Sequence, residues 1–498
     1  MPIREHADTR AVLGGLLAGA IIVSTAIGSP RAAAQINGAE YAARRAALAA
    51  RVKEGVVVGF GARNPVSDFG PFHQLPAFHY LTNFDEPDAA FVMVVHDGRG
   101  ESTLFLSAVE PRAAFYYGRR PDSAAVVREH GLEARAFEAL TATLDSLSAA
   151  GLTVYTIGDH EDADFARRDS LTRGAQFFRA LAARLPTLSV KGADELVSML
   201  RAKKSPAELA MLKRAAEIST EGHRAAMQLS EPAHEYEIRA ALEYAFTRLG
   251  GTRPSYGSIV GGGVHGTQLH YMRDNGDVKP GDLVVMDAAT EYEGYAADIT
   301  RTLPVSGKFS ADQRLIYQLV LDAQKAAERN SKPGMPQAAA SDSAFDIRAQ
   351  GLVALGLAEG LDASFDPPWK VDCARTPRAC RQTNFWMIHG ISHGLGLEVH
   401  DPAQFYFGDR TFKEGDAFTI EPGIYVSTTM LDALPDTPRN RAFIARVMPA
   451  VRRFQNSGVR IEDDYIITAK GLERTSLAPR EISEVEALMR TRPPRVIP

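Results

Sequence analysis

The stretch LVVMDAATEYEGYAADITRT, residues 283–302, sets the tightest limit on how this chain can fold. Two apolar runs flank Glu293-Gly294, a pattern that predicts two strands around a turn. If the turn is tight, Asp287 falls opposite Thr300, and Asp298 is a diagonal neighbour on the same face. Two carboxylates on one face of an apolar hairpin repel each other and resist leaving water. Either Asp alone would be read as facing solvent or capping a turn. Together, in a run as apolar as LVVMDAA, a cation between them is the more economical explanation.

Two more acids share that setting. Glu421 lies in AFTIEPGIYV and Glu462 in SGVRIEDDYIIT, both strand-like apolar runs. Glutamate is rarely buried unless paired or coordinating, although a lone strand glutamate usually faces outward. His393, in HGISHGLGLEVHD (residues 389–401), adds an imidazole. Asp287, Asp298, His393, Glu421 and Glu462 together suit two divalent ions bridged by carboxylates, roughly 3.5–4 Å apart as in two-metal hydrolases. A mostly oxygen donor set favours a hard ion such as Mn²⁺.

The histidine-rich stretch also offers a competing chemistry. Gly390-Ile391-Ser392-His393-Gly394 fits the G-x-S-x-G elbow of serine hydrolases. Beyond the elbow itself the only later histidine is His400, eight residues after Ser392. The Ser, acid, His order of an α/β-hydrolase cannot be built from that. An HEXXH zinc motif is absent, and Gly261-Gly262-Gly263 lacks the Lys-Ser/Thr of a phosphate loop.

The amino terminus reads as an address. Arg4 and Arg10 precede an apolar run from Ala11 to Gly28, and Ala32-Ala33-Ala34 offers a cleavage site before Gln35. This pattern predicts a secretory signal over residues 1–34 and a secreted or periplasmic protein. The competing reading is an uncleaved membrane anchor. In an oxidising compartment Cys373 and Cys380 are expected to form a disulfide closing a small loop. A formal net charge of -5 gives no basic footprint for nucleic acid.

The chain of 498 residues is long enough for two or more domains. AEYAARRAALAARV (39–52) reads as a helix, and VVVGF, AAFVMVV and STLFLS read as strands. Helix-like and strand-like segments alternate to about residue 190, an α/β pattern. At RAKKSPAELAMLKRAAEIS, Ser205 and Glu208 make a capping box with Pro206 at the first helical position. That start marks a boundary, giving a domain over 35–197 and another over 198–490. Residues 362–385 and 428–456 read as long loops. The second carries Arg439, Arg441, Arg446, Arg452 and Arg453, a solvated group or a grip for a peptide carboxylate.

SIVGGGVHGTQLHY, LVVMDAATEYEGYAADITRT, HGISHGLGLEVHD, FTIEPGIYV and GVRIEDD occur in that order. With them the chain resembles the peptidase family of aminopeptidase P, prolidase, methionine aminopeptidase and creatinase, known as M24. FHQLPAFHYLTNFDEPDAAFVMVV looks like the domain that precedes the catalytic one in aminopeptidase P. The resemblance implies a mixed α/β (α+β) chain, an aminopeptidase P-like amino-terminal domain followed by a pita-bread catalytic domain. It implies that Asp287 and Asp298 bind a first divalent ion, and that His393, Glu421 and Glu462 bind a second, with Asp298 and Glu462 bridging. Mn²⁺ is the expected ion, with Co²⁺ and Zn²⁺ as alternatives. His270 and His400 match histidines that contact substrate and stabilise the tetrahedral intermediate, and Glu421 matches the acid that handles the proton of the attacking water. His389 matches a residue lining the substrate pocket, and Arg460 an arginine beside the last glutamate at the substrate site.

The implied activity is metal-dependent removal of the residue before proline from a peptide. A prolidase confined to dipeptides is the alternative, with an inactive binding protein of the same fold further off. A homo-oligomer, dimer or tetramer, is also implied. Two departures bear on specificity. Gly394 stands where aminopeptidase P commonly has Trp, and Tyr116-Tyr117-Gly118-Arg119-Arg120 replaces a W-x-G-x-R segment that can reach a neighbouring subunit's site.

Overall fold

The Asp287–Thr300 register expected from the hairpin is present in the computed structural model, which describes residues 36–491 apart from 66–69, 109–111, 113, 159–172 and 230–231. The signal-like stretch 1–34 lies outside the described residues.

Six strands form the first sheet: β1 (Gly55–Phe60), β2 (Ala90–His96), β3 (Arg99–Leu106), β4 (Glu133–Ala136), β5 (Val154–Thr156) and β6 (Val190–Gly192). Their order is β4-β3-β2-β1-β5-β6, with β1–β2 and β2–β3 antiparallel and the outer pairs parallel. β1 is buried along its whole length, as its Val-rich run requires. The expected first helix runs over Gly38–Val52, capped by Asn37, and lays Leu48, Ala49 and Val52 on the sheet. The same buried cluster continues into Leu395, Leu397 and Ala417, so the sheet shares a core with the histidine loop.

The capping box at Ser205 and Glu208 starts the helix Pro206–Met227. Its Ala215 and Ala216 pack on Ala289 and Ala297, small residues that let the helix approach the acid-bearing hairpin. The helix also bonds to it directly. Ser219 Oγ accepts the Thr290 N–H at 3.0 Å, and His223 Nε2 donates to the Ala288 carbonyl at 2.9 Å.

Ten short strands follow: β7 (Ile259–Gly262), β8 (Leu283–Asp287), β9 (Glu291–Tyr292), β10 (Tyr295–Ala296), β11 (Thr300–Pro304), β12 (Ala417–Ile420), β13 (Gly423–Val426), β14 (Ser457–Arg460), β15 (Asp463–Thr468) and β16 (Gly471–Arg474). They form the sheets β11-β8-β7 and β12-β15-β16 and the pairs β9–β10 and β13–β14. The expected hairpin is thus two ladders, interrupted at Ala288–Thr290 and Ala297–Ile299, with Glu293 and Gly294 at positive φ in its turn. The interruptions put Asp287 at a strand end and Asp298 in a break, where backbone is free to splay around a ligand.

One loop assignment is corrected. Residues 428–456 contain the helices Thr428–Asp432 and Pro438–Arg453. Thr437 caps the second, Pro438 starts it, and Phe443, Val447 and Val451 form a buried stripe. The arginines mask that stripe in the sequence. Arg439, Arg441 and Arg453 pair with Asp366, Asp436 and Asp312 on the surface. The stretch 362–385 is mostly irregular and is closed by the expected Cys373–Cys380 disulfide. It packs against the second helix through Phe365, Phe385 and Phe443.

Candidate metal centre

The four expected carboxylate donors lie at strand ends or in breaks between strands, and His393 lies in the loop after the helix Gln382–Phe385. Asp287 ends β8 and Asp298 precedes β11; Glu421 sits between β12 and β13, and Glu462 between β14 and β15. The glutamates were expected within strands. β12 ends at Ile420 just before Glu421-Pro422, and Glu462 makes a single bridge to Thr300, so each carboxylate turns inward where pairing stops.

His393 is the meeting point. Its Nε2 lies 3.4 Å from Asp298 Oδ2, 3.4 Å from Glu421 Oε1 and 3.9 Å from Glu462 Oε1. Asp298, His393 and Glu462 each offer an atom within 4.8 Å of the others. Asp287 joins through Tyr256, whose hydroxyl is 2.6 Å from Asp287 Oδ1 and 2.5 Å from Asp298 Oδ1. Asp298 is 6% exposed and Glu462 2%.

Burial and mutual repulsion dominate the electrostatics. Burial, with Asp287 beside it, pushes the Asp298 carboxyl up to about 6. Burial and the charges of Asp298, Glu421 and Asp287 push Glu462 far above the carboxylate range. Burial alone would lower His393, yet hydrogen bonding to Asp298 and the charge of Glu421 raise it to about 9. Burial would likewise raise Glu421, but His389 and His393 hold it down at about 2. Four carboxylates crowded on one imidazole and one guanidinium form a donor set that fits divalent cations.

Around the donors stand groups that orient them. Thr300 Oγ1 donates to Glu462 Oε2 at 2.6 Å. Arg460 is buried, donating to Asp287, to Thr300 Oγ1 at 3.1 Å and to the Tyr425 hydroxyl at 2.8 Å, so its guanidinium is committed to protein partners. His389 meets Tyr425 Oη through Nε2 at 2.9 Å and lies 3.5 Å from Glu421. His400 is exposed, its ring 4.2 Å from that of His393. His270 is exposed on the loop after the turn Gly263–Thr267, with no hydrogen bond to the carboxylates among the described residues. Tyr256 and Tyr425 carry no local sequence signal, since the contacts that define them span 31 and 35 residues. Ser392 Oγ is buried with no hydrogen-bond partner among the described residues, which further removes it as a nucleophile.

The sequence profile of "Metallopeptidase family M24" matches residues 210–469, and that of "Aminopeptidase P, N-terminal domain" matches 41–155. The chain is 33% identical over 469 residues to the Xaa-Pro aminopeptidase of Escherichia coli K12, covering 91% of this chain and 98% of that one. Proline aminopeptidase P II from Yersinia pestis superposes with a TM-score of 0.74 at 30% identity, covering 91% of this chain and all of that one. A zinc-substituted E. coli aminopeptidase P in complex with product superposes at 0.73 and 31% identity, covering 92% and 99%. The mixed α/β architecture is therefore an aminopeptidase P amino-terminal domain joined to a pita-bread catalytic domain. With a family profile over more than half its length and relatives matched nearly end to end, the chain belongs to metallopeptidase family M24.

Proposed function

We propose that this protein is a metal-dependent aminopeptidase that hydrolyses the bond between an amino-terminal residue and a following proline. The carrying observation is the gathering of Asp298, Glu421 and Glu462 on His393, in a chain that spans 98% of a Xaa-Pro aminopeptidase. Two divalent cations held by Asp287, Asp298, His393, Glu421 and Glu462 would supply an acidified water as nucleophile and a charge that polarises the scissile carbonyl.

The protein groups account for the rest. Glu421, between His389 and His393, takes up the proton of the attacking water and passes it to the leaving nitrogen. That nitrogen belongs to a tertiary amide and carries no hydrogen, so it leaves as proline's secondary amine only once protonated. His270 and His400 donate to the carbonyl oxygen as it gains negative charge. Tyr425, shared by Arg460 and His389, ties the wall of the substrate pocket to Asp287.

The oxygen-rich donor set supports Mn²⁺ as the working ion, with Co²⁺ and Zn²⁺ as substitutes. The basic-apolar-small pattern of residues 1–34 and the Cys373–Cys380 disulfide support export to an oxidising compartment. The mature chain would then comprise an amino-terminal domain over 35–197 and a catalytic one over 198–490. Exposed Phe115 and Tyr116, the latter 67% exposed, support association of like subunits.

The test is hydrolysis of an X-Pro dipeptide and an X-Pro-Y tripeptide side by side by the Mn²⁺-loaded protein, with a chelated control. Chelator-sensitive cleavage of the tripeptide at the X-Pro bond is expected. Cleavage of the dipeptide alone would make the protein a prolidase.

A further inference from the structure

Four charged side chains are buried together where the amino-terminal half of the chain meets the histidine loop. Arg201, 6% exposed at the end of the helix Asp194–Arg201, donates from Nη2 to Glu398 Oε2 at 2.5 Å and to Asp401 Oδ1. Lys204, 3% exposed, donates to Asp401 Oδ2 at 2.7 Å and to the Pro402 carbonyl at 2.8 Å. Asp401 is 1% exposed and Glu398 9%. Both cations precede residue 210, where the match to the peptidase profile begins.

Asp401 is also the point on which the loop closes. Its N–H donates to the Gly394 carbonyl at 2.9 Å, and its Oδ1 accepts the Glu398 N–H at 3.2 Å. A Cβ at Gly394 would sit on the Asp401 carbonyl oxygen, and one at Gly396 on its carboxylate. This close approach leaves no room for a side chain at either position. His393 and His400 each precede one end of this closure, and their rings meet at 4.2 Å.

Two carboxylates in one buried turn repel unless cations face them, and removing one cation leaves a buried charge that is strongly destabilising. The turn would open to hydrate that charge, and His400 is the residue next to it. We propose that Arg201 and Lys204 are positioning residues for the peptidase reaction: by neutralising Glu398 and Asp401 they hold the loop closed and keep His400 against His393. The inference rests on the peptidase function proposed above.

The test is a double-mutant cycle in the full-length, metal-loaded protein, reading kcat and KM on an X-Pro-Y tripeptide together with metal content. Lys204→Met is expected to lower kcat by on the order of 100-fold, the scale of a 1 Å misplacement of a catalytic group. KM should stay within about threefold of the wild type and metal content should be unchanged. In a His400→Ala background the same substitution should lower kcat by less than about threefold, because the group it positions is gone. An equal loss in both backgrounds, or an unchanged kcat, overturns the inference. An inactive wild type would instead overturn the peptidase reading. Should Lys204→Met fail to fold, Arg201→Lys keeps the charge and loses the guanidinium fork. It should show a smaller kcat loss with the same dependence on His400, and independence from His400 overturns the inference equally.

Discussion

Tyr256 Oη stands 2.6 Å from Asp287 Oδ1 and 2.5 Å from Asp298 Oδ1, one hydroxyl proton between two carboxylates. The proton serves one of them at a time, so the hydroxyl fixes the pair's spacing without neutralising it. Removal of a hydrogen bond that orients a ligand typically costs 10–100-fold in metal affinity. Tyr256→Phe should therefore fold as the wild type does and release metal to a competing chelator at about 10–100-fold lower chelator concentration. An unchanged competition curve would contradict this.

Arg348, 1% exposed on the helix Gln337–Ala354, is a buried guanidinium with no carboxylate partner among the described residues. Its Nη2 donates to Asn384 Oδ1 at 2.8 Å, while Nε and Nη1 have no hydrogen-bond partner among the described residues, and burial pulls its pKa down to about 9. Replacing buried charge by an apolar side chain of similar length is often neutral or stabilising by about 1–4 kcal/mol. Arg348→Met should raise the thermal midpoint by a few degrees with kcat unchanged. A lower midpoint would mean that the guanidinium is compensated in solution.

His223, fully buried behind the hairpin, is pulled down to about 4 by burial and by the Arg301 charge. Between that value and the ordinary 6.5 the unfolded chain binds the proton and the folded one does not, so stability rises with pH across this window. It is lost as pH falls from about 6.5 towards 4. In chelated protein, His223→Gln should flatten the dependence of stability on pH between 4 and 6.5 by about one proton. An unchanged slope would contradict the assignment.

What the sequence made legible follows range of interaction. The capping box at Ser205 and the Asp287–Thr300 register are local patterns, and both are present as read. The donor set was legible as acids misplaced in apolar runs, although Glu421 and Glu462 proved to lie in breaks between strands. The helix Pro438–Arg453 was hidden because its arginines outnumber the three apolar residues of its buried stripe. Tyr256, Tyr425 and the Arg201–Asp401 pair join segments 31 to 200 residues apart, and no local pattern reports such contacts.

The central claim is that Asp287, Asp298, His393, Glu421 and Glu462 together hold the ions on which hydrolysis depends. The most direct measurement titrates chelated protein with Mn²⁺ while following bound metal and cleavage of an X-Pro-Y tripeptide together, for the wild type and for Asp298→Ala. Two ions per chain, activity rising with their binding, and loss of both in Asp298→Ala are predicted. Full activity in the chelated protein, or an Asp298→Ala variant that keeps full metal content and activity, would contradict it.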